Sequence, residues 1–213
     1  MSNKDTFEKI YETQNSAIWT KEKPPKVLKE LVETETIKPC KAIDIGCGEG
    51  FYSIYLAKRR FNVLGFDFSE KAIAYAKRNA IENNVNVSFI NLDVNNLEKL
   101  CIKVDFVLEW GLIHHLSEED LSKYVKKVKN ILKPNGTYLS ASFNINSDKY
   151  GLPGQKLRKT PIGTTLVYHT IDEMRTLFTP YFTILSEQIL PLEGREETHI
   201  SQPGNVILMK NNV

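Results

Sequence analysis

Acidic and glycine residues recur at the ends of short apolar segments in this chain. Asp44 and the glycine-rich residues 46–50 close the first such segment, and Asp67, Asp93 and Glu109 close the next three. The carboxyl ends of parallel strands meet at one edge of a sheet, where ligands bind in α/β proteins. One acidic residue at a strand end would mean little, but its recurrence predicts a ligand site at that edge.

The loop at residues 46–50 has glycines spaced as GxGxG. Glycine allows a tight turn after a strand and lets a ligand approach the backbone without meeting a Cβ atom. A nucleotide pyrophosphate is usually bound by GxGxxG at the start of a helix, and here Glu49 would repel phosphate. Asp67 follows Gly48 by 19 residues, at a position where a carboxylate holds ribose hydroxyls. The pattern favours a zwitterionic or cationic ligand.

Segments of strand length alternate with helical patterns through the middle of the chain. Helices are predicted at residues 51–59 and 70–83, and a third begins at Ser117. Strict alternation predicts a parallel sheet with helices on both faces. The last two strands are separated by a polar loop without a helix pattern, so we expect them to form an antiparallel hairpin. The predicted strands cover residues 41–45, 63–66, 87–90, 104–108, 137–141, 182–190 and 206–210.

A single domain is expected, because the chain of 213 residues shows neither repeats nor low-complexity segments. Residues 1–40 are predicted to form a helical cap, residues 41–143 the ligand-binding core, and residues 171–213 the last helix and the hairpin. Residues 144–170 are irregular in pattern. Because an irregular segment of that length inside a domain usually has a function, we predict that it is a lid over the substrate.

Five segments together resemble the sequence motifs of class I S-adenosylmethionine-dependent methyltransferases. The resemblance implies an α/β fold, with a Rossmann-like, doubly wound, mostly parallel seven-stranded sheet and an antiparallel C-terminal strand. It also implies S-adenosyl-L-methionine as the cofactor and methyl transfer to a small-molecule acceptor by in-line displacement. The five segments keep the family's order and expected distances, and they are residues 42–50, Asp67, residues 92–94, residues 104–116 and residues 132–136.

The same resemblance implies which residues contact the cofactor. The glycine loop would contact the methionine part, Asp67 the ribose, and Asp93 with Val94 the adenine, on whose face Phe68 would pack. Glu109 is expected to line the pocket. The predicted cofactor-binding residues are Asp44, Gly46, Cys47, Gly48, Asp67, Phe68, Asp93, Val94 and Glu109.

His114 and His115 follow the fourth strand, where the acceptor should lie, and they are the predicted catalytic residues. A general base assists methyl transfer when the accepting atom carries a proton, and histidine can act as one near neutral pH. The alternative is a structural role, expected for at least one of them, because a pair of histidines occurs here in family members with unrelated substrates. Trp19 could equally line the pocket or fill the core. The predicted substrate pocket consists of Tyr11, Trp19, Trp110 and His114.

Charge and cysteine content weigh against several classes of protein. The chain has 28 basic and 26 acidic side chains, for a net charge of +2, so nucleic acid is not expected as a partner and RNA methylation is disfavoured. Its three cysteines form no CxxC pair, which predicts neither a disulfide framework nor a metal site and fits a reducing compartment. With no apolar stretch long enough to cross a bilayer, and no signal peptide pattern, we expect a soluble cytoplasmic protein.

Two further functions remain open at this point. An NAD-dependent oxidoreductase would use a similar sheet, although the GxGxG spacing with Glu49 speaks against it. A methyltransferase-like binding module would bind the cofactor without catalysis. The basic residues Lys156, Arg158 and Lys159 of the predicted lid are either solvated or contacts for an anionic acceptor.

Overall fold

The computed structural model describes residues 3–13, 20, 22–192 and 202–212. Six helices and nine strands lie within these residues, together with two short 3-10 helices at Val94–Leu100 and Ile113–His115. The helices are α1 (Asn3–Thr13), α2 (Lys26–Glu33), α3 (Phe51–Ala57), α4 (Glu70–Glu82), α5 (Glu118–Ile131) and α6 (Ile171–Phe178). The strands are β1 (Lys41–Ile45), β2 (Asn62–Asp67), β3 (Ser88–Asn91), β4 (Val104–Trp110), β5 (Leu132–Phe143), β6 (Leu157–Lys159), β7 (Thr165–Val167), β8 (Phe182–Leu192) and β9 (Gln202–Asn211).

The main sheet of the described residues has seven strands in the order β3-β2-β1-β4-β5-β9-β8. Strands β1 to β5 pair in parallel, and β9 runs antiparallel to both of its neighbours, β5 and β8. The chain order reverses between β1 and β4, which creates the crevice where α/β proteins bind ligands. The predicted α/β fold class, including the antiparallel C-terminal hairpin, is confirmed.

Both faces of the sheet are covered by helices, and β1 shows why. Ile43 and Ile45 point to the face packed against α5 and α6, whereas Ala42 points to the face packed against α2 and α3. A parallel strand that is buried on both faces reads as a continuous apolar run, because water reaches neither side. This two-sided core fixes the strand ends from which the site residues project.

Side-chain caps begin the helices that follow β2 and β4. The Ser69 hydroxyl accepts a hydrogen bond from the Ala72 amide at 3.1 Å, and the Ser117 hydroxyl accepts one from the Asp120 amide at 3.1 Å. Each cap satisfies an amide that would lack a partner inside its helix. Both predicted helix starts are therefore correct. None of the helices in the described ranges is long and apolar enough to cross a bilayer.

Strand β5 begins at Leu132, five residues before its predicted start at residue 137. The predicted turn at residues 134–136 interrupts its pairing with β4, which resumes at Phe106 opposite Thr137. Asn135 adopts the left-handed conformation there, with φ of 64°. Asparagine tolerates that conformation better than most residues, so the turn is accommodated inside the strand as an irregularity.

Residues 144–170 contain a small hairpin that the sequence pattern did not reveal. Strands β6 and β7 pair antiparallel, with Arg158 opposite Leu166. The Arg158 side chain is buried and donates hydrogen bonds to the carbonyl oxygens of Ile145, Ser147, Lys149 and Gln155, at 2.6–2.9 Å. Its guanidinium also lies 3.9 Å from the centre of the Tyr168 ring. One arginine therefore ties the hairpin to the chain that leads into it.

Candidate active site

The glycine loop turns sharply after β1 because three of its residues adopt positive φ. Gly46, Gly48 and Gly50 have φ of 70°, 53° and 80°. The amides of Gly46 and Cys47 donate to the Phe66 carbonyl at 2.9 and 3.0 Å, which ties the loop to the end of β2. A Cβ atom on Gly46 would lie 2.6 Å from Leu112 Cδ1. The loop therefore fits closely against the chain that follows β4.

Asp67 ends β2 beside the glycine loop. One carboxylate oxygen accepts from the Gly48 amide at 3.1 Å and the other from the Ser69 amide at 2.9 Å. Burial raises the pKa of Asp67 to about 6, against the lowering effect of these hydrogen bonds. A carboxylate oxygen can accept more than one hydrogen bond, so this arrangement leaves capacity for the hydroxyls of a ribose.

Asp44 lies beneath the loop and is almost fully buried. It accepts a hydrogen bond of 2.6 Å from the Ser53 hydroxyl of α3. Burial raises the pKa of Asp44 to about 6. This contact fixes the start of α3 against β1. Cys47 lies in the loop itself, and burial raises the pKa of its thiol well above the usual value, so the thiol stays protonated.

Glu109 is fully buried at the end of β4. One carboxylate oxygen accepts from the amides of Leu112 and Ile113 at 2.7 and 3.2 Å, and the other accepts from the Ser140 hydroxyl at 2.7 Å. Burial raises the pKa of Glu109 to about 7. These contacts shape the turn after β4, in addition to the predicted role of Glu109 in lining the pocket.

The residues predicted to surround adenine lie at the ends of β2 and β3. Asp93 accepts from the Asn95 amide at 2.8 Å, which begins the short helix that contains Val94. The Asn91 side chain, which the sequence did not single out, donates to the Phe68 carbonyl at 2.7 Å and to the Asp67 carbonyl at 3.1 Å. Asn91 therefore fixes the backbone that presents both the predicted ribose ligand and the predicted adenine contact.

Helix α1 lies across the crevice and contacts its two sides. The Phe7 ring makes edge contacts with Phe68 at 5.6 Å and with His115 at 5.0 Å between ring centroids. Tyr11 is buried, and its hydroxyl lies 3.4 Å from where a Cβ atom on Gly48 would be. Tyr11 thus reaches the glycine loop, whereas Trp19 lies outside the described residues.

Two hydrogen bonds and an ion pair fix α1 in this position. The Glu8 carboxylate accepts from the Ser69 hydroxyl at 3.1 Å and from the Glu70 amide at 2.9 Å, at the start of α4. Glu12 pairs with Lys71 at 2.8 Å. A carboxylate at the start of a helix is stabilised by the unpaired amides and by the helix dipole. Neither contact could be read from the sequence, because about sixty residues separate the partners.

The two histidines after β4 have different surroundings. His114 is buried and stacked on Phe143, with 4.3 Å between centroids, and its Nδ1 accepts from the Phe143 amide at 3.4 Å. His115 is half-buried, and its Nδ1 has no hydrogen-bond partner among the described residues. Burial lowers the pKa of His114 well below its usual value and that of His115 to about 4. Both imidazoles are therefore neutral near pH 7.

Two cavities lie near these residues. The larger, of about 350 Å³, is bounded by His115 and by the hairpin of β6 and β7. The smaller, of about 150 Å³, is bounded by Trp110 and Tyr52 together with residues at the start of α2, just before it and in β8. The rings of Trp110 and Tyr52 meet edge to face, 6.5 Å apart. The predicted pocket residues are thus distributed: Tyr11 at the glycine loop, Trp110 at the smaller cavity and His114 against Phe143.

The sequence of this chain is similar to a known protein family and to several curated proteins. The family described as methyltransferase domain matches residues 42–136. A ubiquinone biosynthesis O-methyltransferase of Coxiella burnetii is 30% identical over 126 residues, which are 59% of this chain and 53% of that protein. A release factor glutamine methyltransferase of Flavobacterium psychrophilum is also 30% identical over 126 residues, 58% of this chain and 42% of that protein. The chain thus spans about half the length of these curated relatives.

Solved structures agree with the fold. The 1,6-didemethyltoxoflavin-N1-methyltransferase of Burkholderia thailandensis, with 1,6-didemethyltoxoflavin and S-adenosylhomocysteine bound, superposes with a TM-score of 0.77 at 19% identity. The match covers 99% of this chain and 87% of that one. Of the two enzyme classes left open by the sequence, the family match favours the methyltransferase over the oxidoreductase. Residues 42–136 therefore match the methyltransferase-domain family, and the chain shares the fold of the Burkholderia thailandensis methyltransferase.

Proposed function

We propose that the protein transfers a methyl group from S-adenosylmethionine to a small-molecule acceptor by in-line displacement. The observation that carries the proposal is the junction of the glycine loop with β2, where the Gly48 amide and the Asp67 carboxylate meet at 3.1 Å. Gly46 and Gly48 adopt positive φ and carry no Cβ atom, which lets a ligand approach the backbone closely, and the Asp67 carboxylate keeps capacity for two hydroxyls. The junction suits a ligand that joins an amino acid to a ribose.

The chain's residues fit each part of that cofactor. The glycine loop with Asp44 and Cys47 would hold the methionine part, and Asp67 the ribose. Phe68, Asp93 and Val94 would surround the adenine. When bound, the cofactor supplies a methyl group carried on a positively charged sulfur. As the methyl group passes to the acceptor, that sulfur becomes the neutral thioether leaving group. The protein must then hold the acceptor in line with the methyl group, and orientation of this kind supplies much of the rate.

Of the two histidines, we propose that His115 contacts the acceptor. It borders the larger cavity, whereas His114 is buried between His115 and Phe143, with its Nδ1 engaged by a backbone amide. With a pKa of about 4, His115 is neutral near pH 7 and can accept a hydrogen bond from a hydroxyl or amine acceptor. His114 is proposed to position His115. The division of the chain into a cap, a core, a lid and a C-terminal unit is part of the same proposal.

The test measures cofactor binding and turnover separately. Calorimetry with S-adenosylhomocysteine should give at least about tenfold weaker binding for Asp67→Asn than for the unaltered protein, because charge-assisted hydrogen bonds contribute about 1.5–3 kcal/mol. Asp105→Asn is the matched control, since Asp105 lies at the opposite end of the same sheet and pairs with Lys133. Equal affinity of Asp67→Asn and the control would remove Asp67 from the site.

Turnover separates an enzyme from a binding module. Transfer of a radiolabelled methyl group to a panel of small hydroxyl, amine and thiol acceptors should yield a labelled product. Cofactor binding without turnover on any acceptor would favour the module, and binding of NADH alone would favour the oxidoreductase.

We also propose a cytoplasmic protein that does not bind nucleic acid. Its free cysteines Cys40, Cys47 and Cys101 and its net charge of +2 support this.

A further inference from the structure

We infer that the larger cavity binds the methyl acceptor and that this acceptor is an uncharged, mainly apolar molecule. The inference rests on the proposed function and names the substrate class for it. The cavity has a volume of about 350 Å³, within the range of about 300–1,000 Å³ found for small-molecule sites. Its walls come from the segment after β4, the start of α5 and the hairpin of β6 and β7.

The position of the cavity links it to the cofactor crevice. His115 forms one wall, and its ring touches Phe7, which in turn touches Phe68 at the predicted adenine position. The rings of His115, Phe7 and Phe68 therefore form a continuous row from the cavity wall to the predicted adenine position. Phe7 belongs to a helix held by the Glu8 contact with the start of α4.

The walls of the cavity are mainly apolar. Leu116, Leu157 and Val167 contribute hydrocarbon, and Thr165 contributes a methyl group as well as a hydroxyl. Such a surface gains free energy by covering an apolar ligand, because both are removed from water.

The charges at the rim are already paired. Lys156 contacts Glu118 at 2.7 Å and Glu173 at 2.9 Å, and Glu118 also contacts His169 at 3.2 Å. Burial lowers the pKa of His169, so its ring is neutral near pH 7. One ammonium therefore faces two carboxylates, which leaves the rim with an excess of negative charge. A carboxylate or phosphate on the acceptor would be repelled there, and Lys156 has no free charge to offer it.

Charge and shape can be tested with two probes of nearly equal size, 1-naphthol and 1-naphthoate. Each is titrated by calorimetry into the full chain saturated with S-adenosylhomocysteine at pH 7.5. We expect 1-naphthol to bind at least about tenfold more tightly than 1-naphthoate. Equal binding of the two probes, tighter binding of 1-naphthoate or no binding of 1-naphthol would overturn the inference. Failure of S-adenosylhomocysteine to bind in the same samples would instead contradict the proposed function.

A pair of variants locates the probe. Leu157→Trp places an indole at the cavity, whereas Leu152→Trp places one in the same segment outside the cavity walls. Both leucines are exposed, at 60% and 76%, so neither change disturbs the core. Leu157→Trp should weaken 1-naphthol binding at least about tenfold and Leu152→Trp should leave it unchanged, with equal cofactor affinity in both. Equal 1-naphthol affinity in the two variants would show that the probe binds elsewhere.

The rim can be altered without enlarging the cavity. In Glu118→Gln/Glu173→Gln, Lys156 loses both charged partners and the rim becomes positive. Glutamine also serves at the third position of a capping box, so the start of α6 is preserved. The affinity for 1-naphthoate should rise relative to that for 1-naphthol, reducing the tenfold preference. An unchanged preference would show that the rim charges do not select the ligand.

Discussion

The buried carboxylate of Glu109 should make the protein less stable as the pH rises. Its ordinary pKa is 4.5 and burial raises it to about 7 in the folded chain. Between these values the folded state holds a proton that the unfolded state has lost, so the free energy of unfolding falls as pH increases. The stability that Glu109 contributes is complete below pH 4.5 and is lost as the pH rises through 7.

The size of the effect follows from the difference between the two pKa values. At about 1.4 kcal/mol per unit, a rise from 4.5 to about 7 corresponds to about 3 kcal/mol. Glu109→Gln removes the charge and keeps the size. Its amide oxygen can still accept from the amides of Leu112 and Ile113, and its NH₂ group can donate to the Ser140 hydroxyl. The variant should therefore lie within about 1 kcal/mol of the unaltered protein at pH 5 and exceed its stability by about 3 kcal/mol at pH 8.

Urea unfolding of the cofactor-free protein at pH 5 and pH 8 measures this difference. Glu119→Gln is the control, because Glu119 lies on the surface of α5 and pairs with Lys123. That variant should follow the pH dependence of the unaltered protein. If Glu109→Gln and the unaltered protein differed by the same amount at both pH values, ionisation of Glu109 would not be the cause and the reasoning would fail.

Three further contacts that hold the site can each be tested by substitution. Gly46→Ala should lower the free energy of unfolding by about 1–2 kcal/mol from its positive φ alone, and the added Cβ atom would also collide with Leu112. Combining it with Leu112→Ala should remove the loss due to this collision but not the loss due to φ, as measured by urea unfolding. Arg158→Lys should leave buried carbonyls without donors, at about 1–3 kcal/mol each, which hydrogen exchange would detect as faster exchange confined to residues 144–170. Glu8→Ala should release α1 and speed exchange at residues 3–13; unchanged protection there would show that the Glu8 contact does not fix the helix.

The sequence sufficed for the fold because its signals are local. A strand end, a glycine loop and a capping serine such as Ser69 can each be recognised within a few residues. Parallel pairing then brings the loop and Asp67 together, although they are distant in the chain. The register in which Ile45 faces Phe66 places the Gly48 amide on the Asp67 carboxylate.

Contacts that depend on tertiary packing could not be predicted. The amphipathic pattern of α1 predicts a helix. It does not indicate that Glu8 reaches the start of α4 or that Phe7 contacts His115. The short strands β6 and β7 have three residues each, too few for a period to be read. Arg158 lies in a basic stretch that is typical of a solvated loop. Its burial depends on four carbonyl oxygens that only the folded chain brings together.

Three carboxylates with raised pKa values lie at the crevice. Their ionisation lowers the stability of the empty fold, and it also affects the binding of a cation. Burial raises the pKa of Asp44 and Asp67 to about 6 and that of Glu109 to about 7. A cation held near them lowers those values again, since an opposite charge favours the ionised form. Rising pH therefore weakens the empty fold while it strengthens the attraction for a sulfonium ion. In the proposed reaction, the neutral thioether product would lack that attraction, so the carboxylates that would hold the charged cofactor would also favour release of the product.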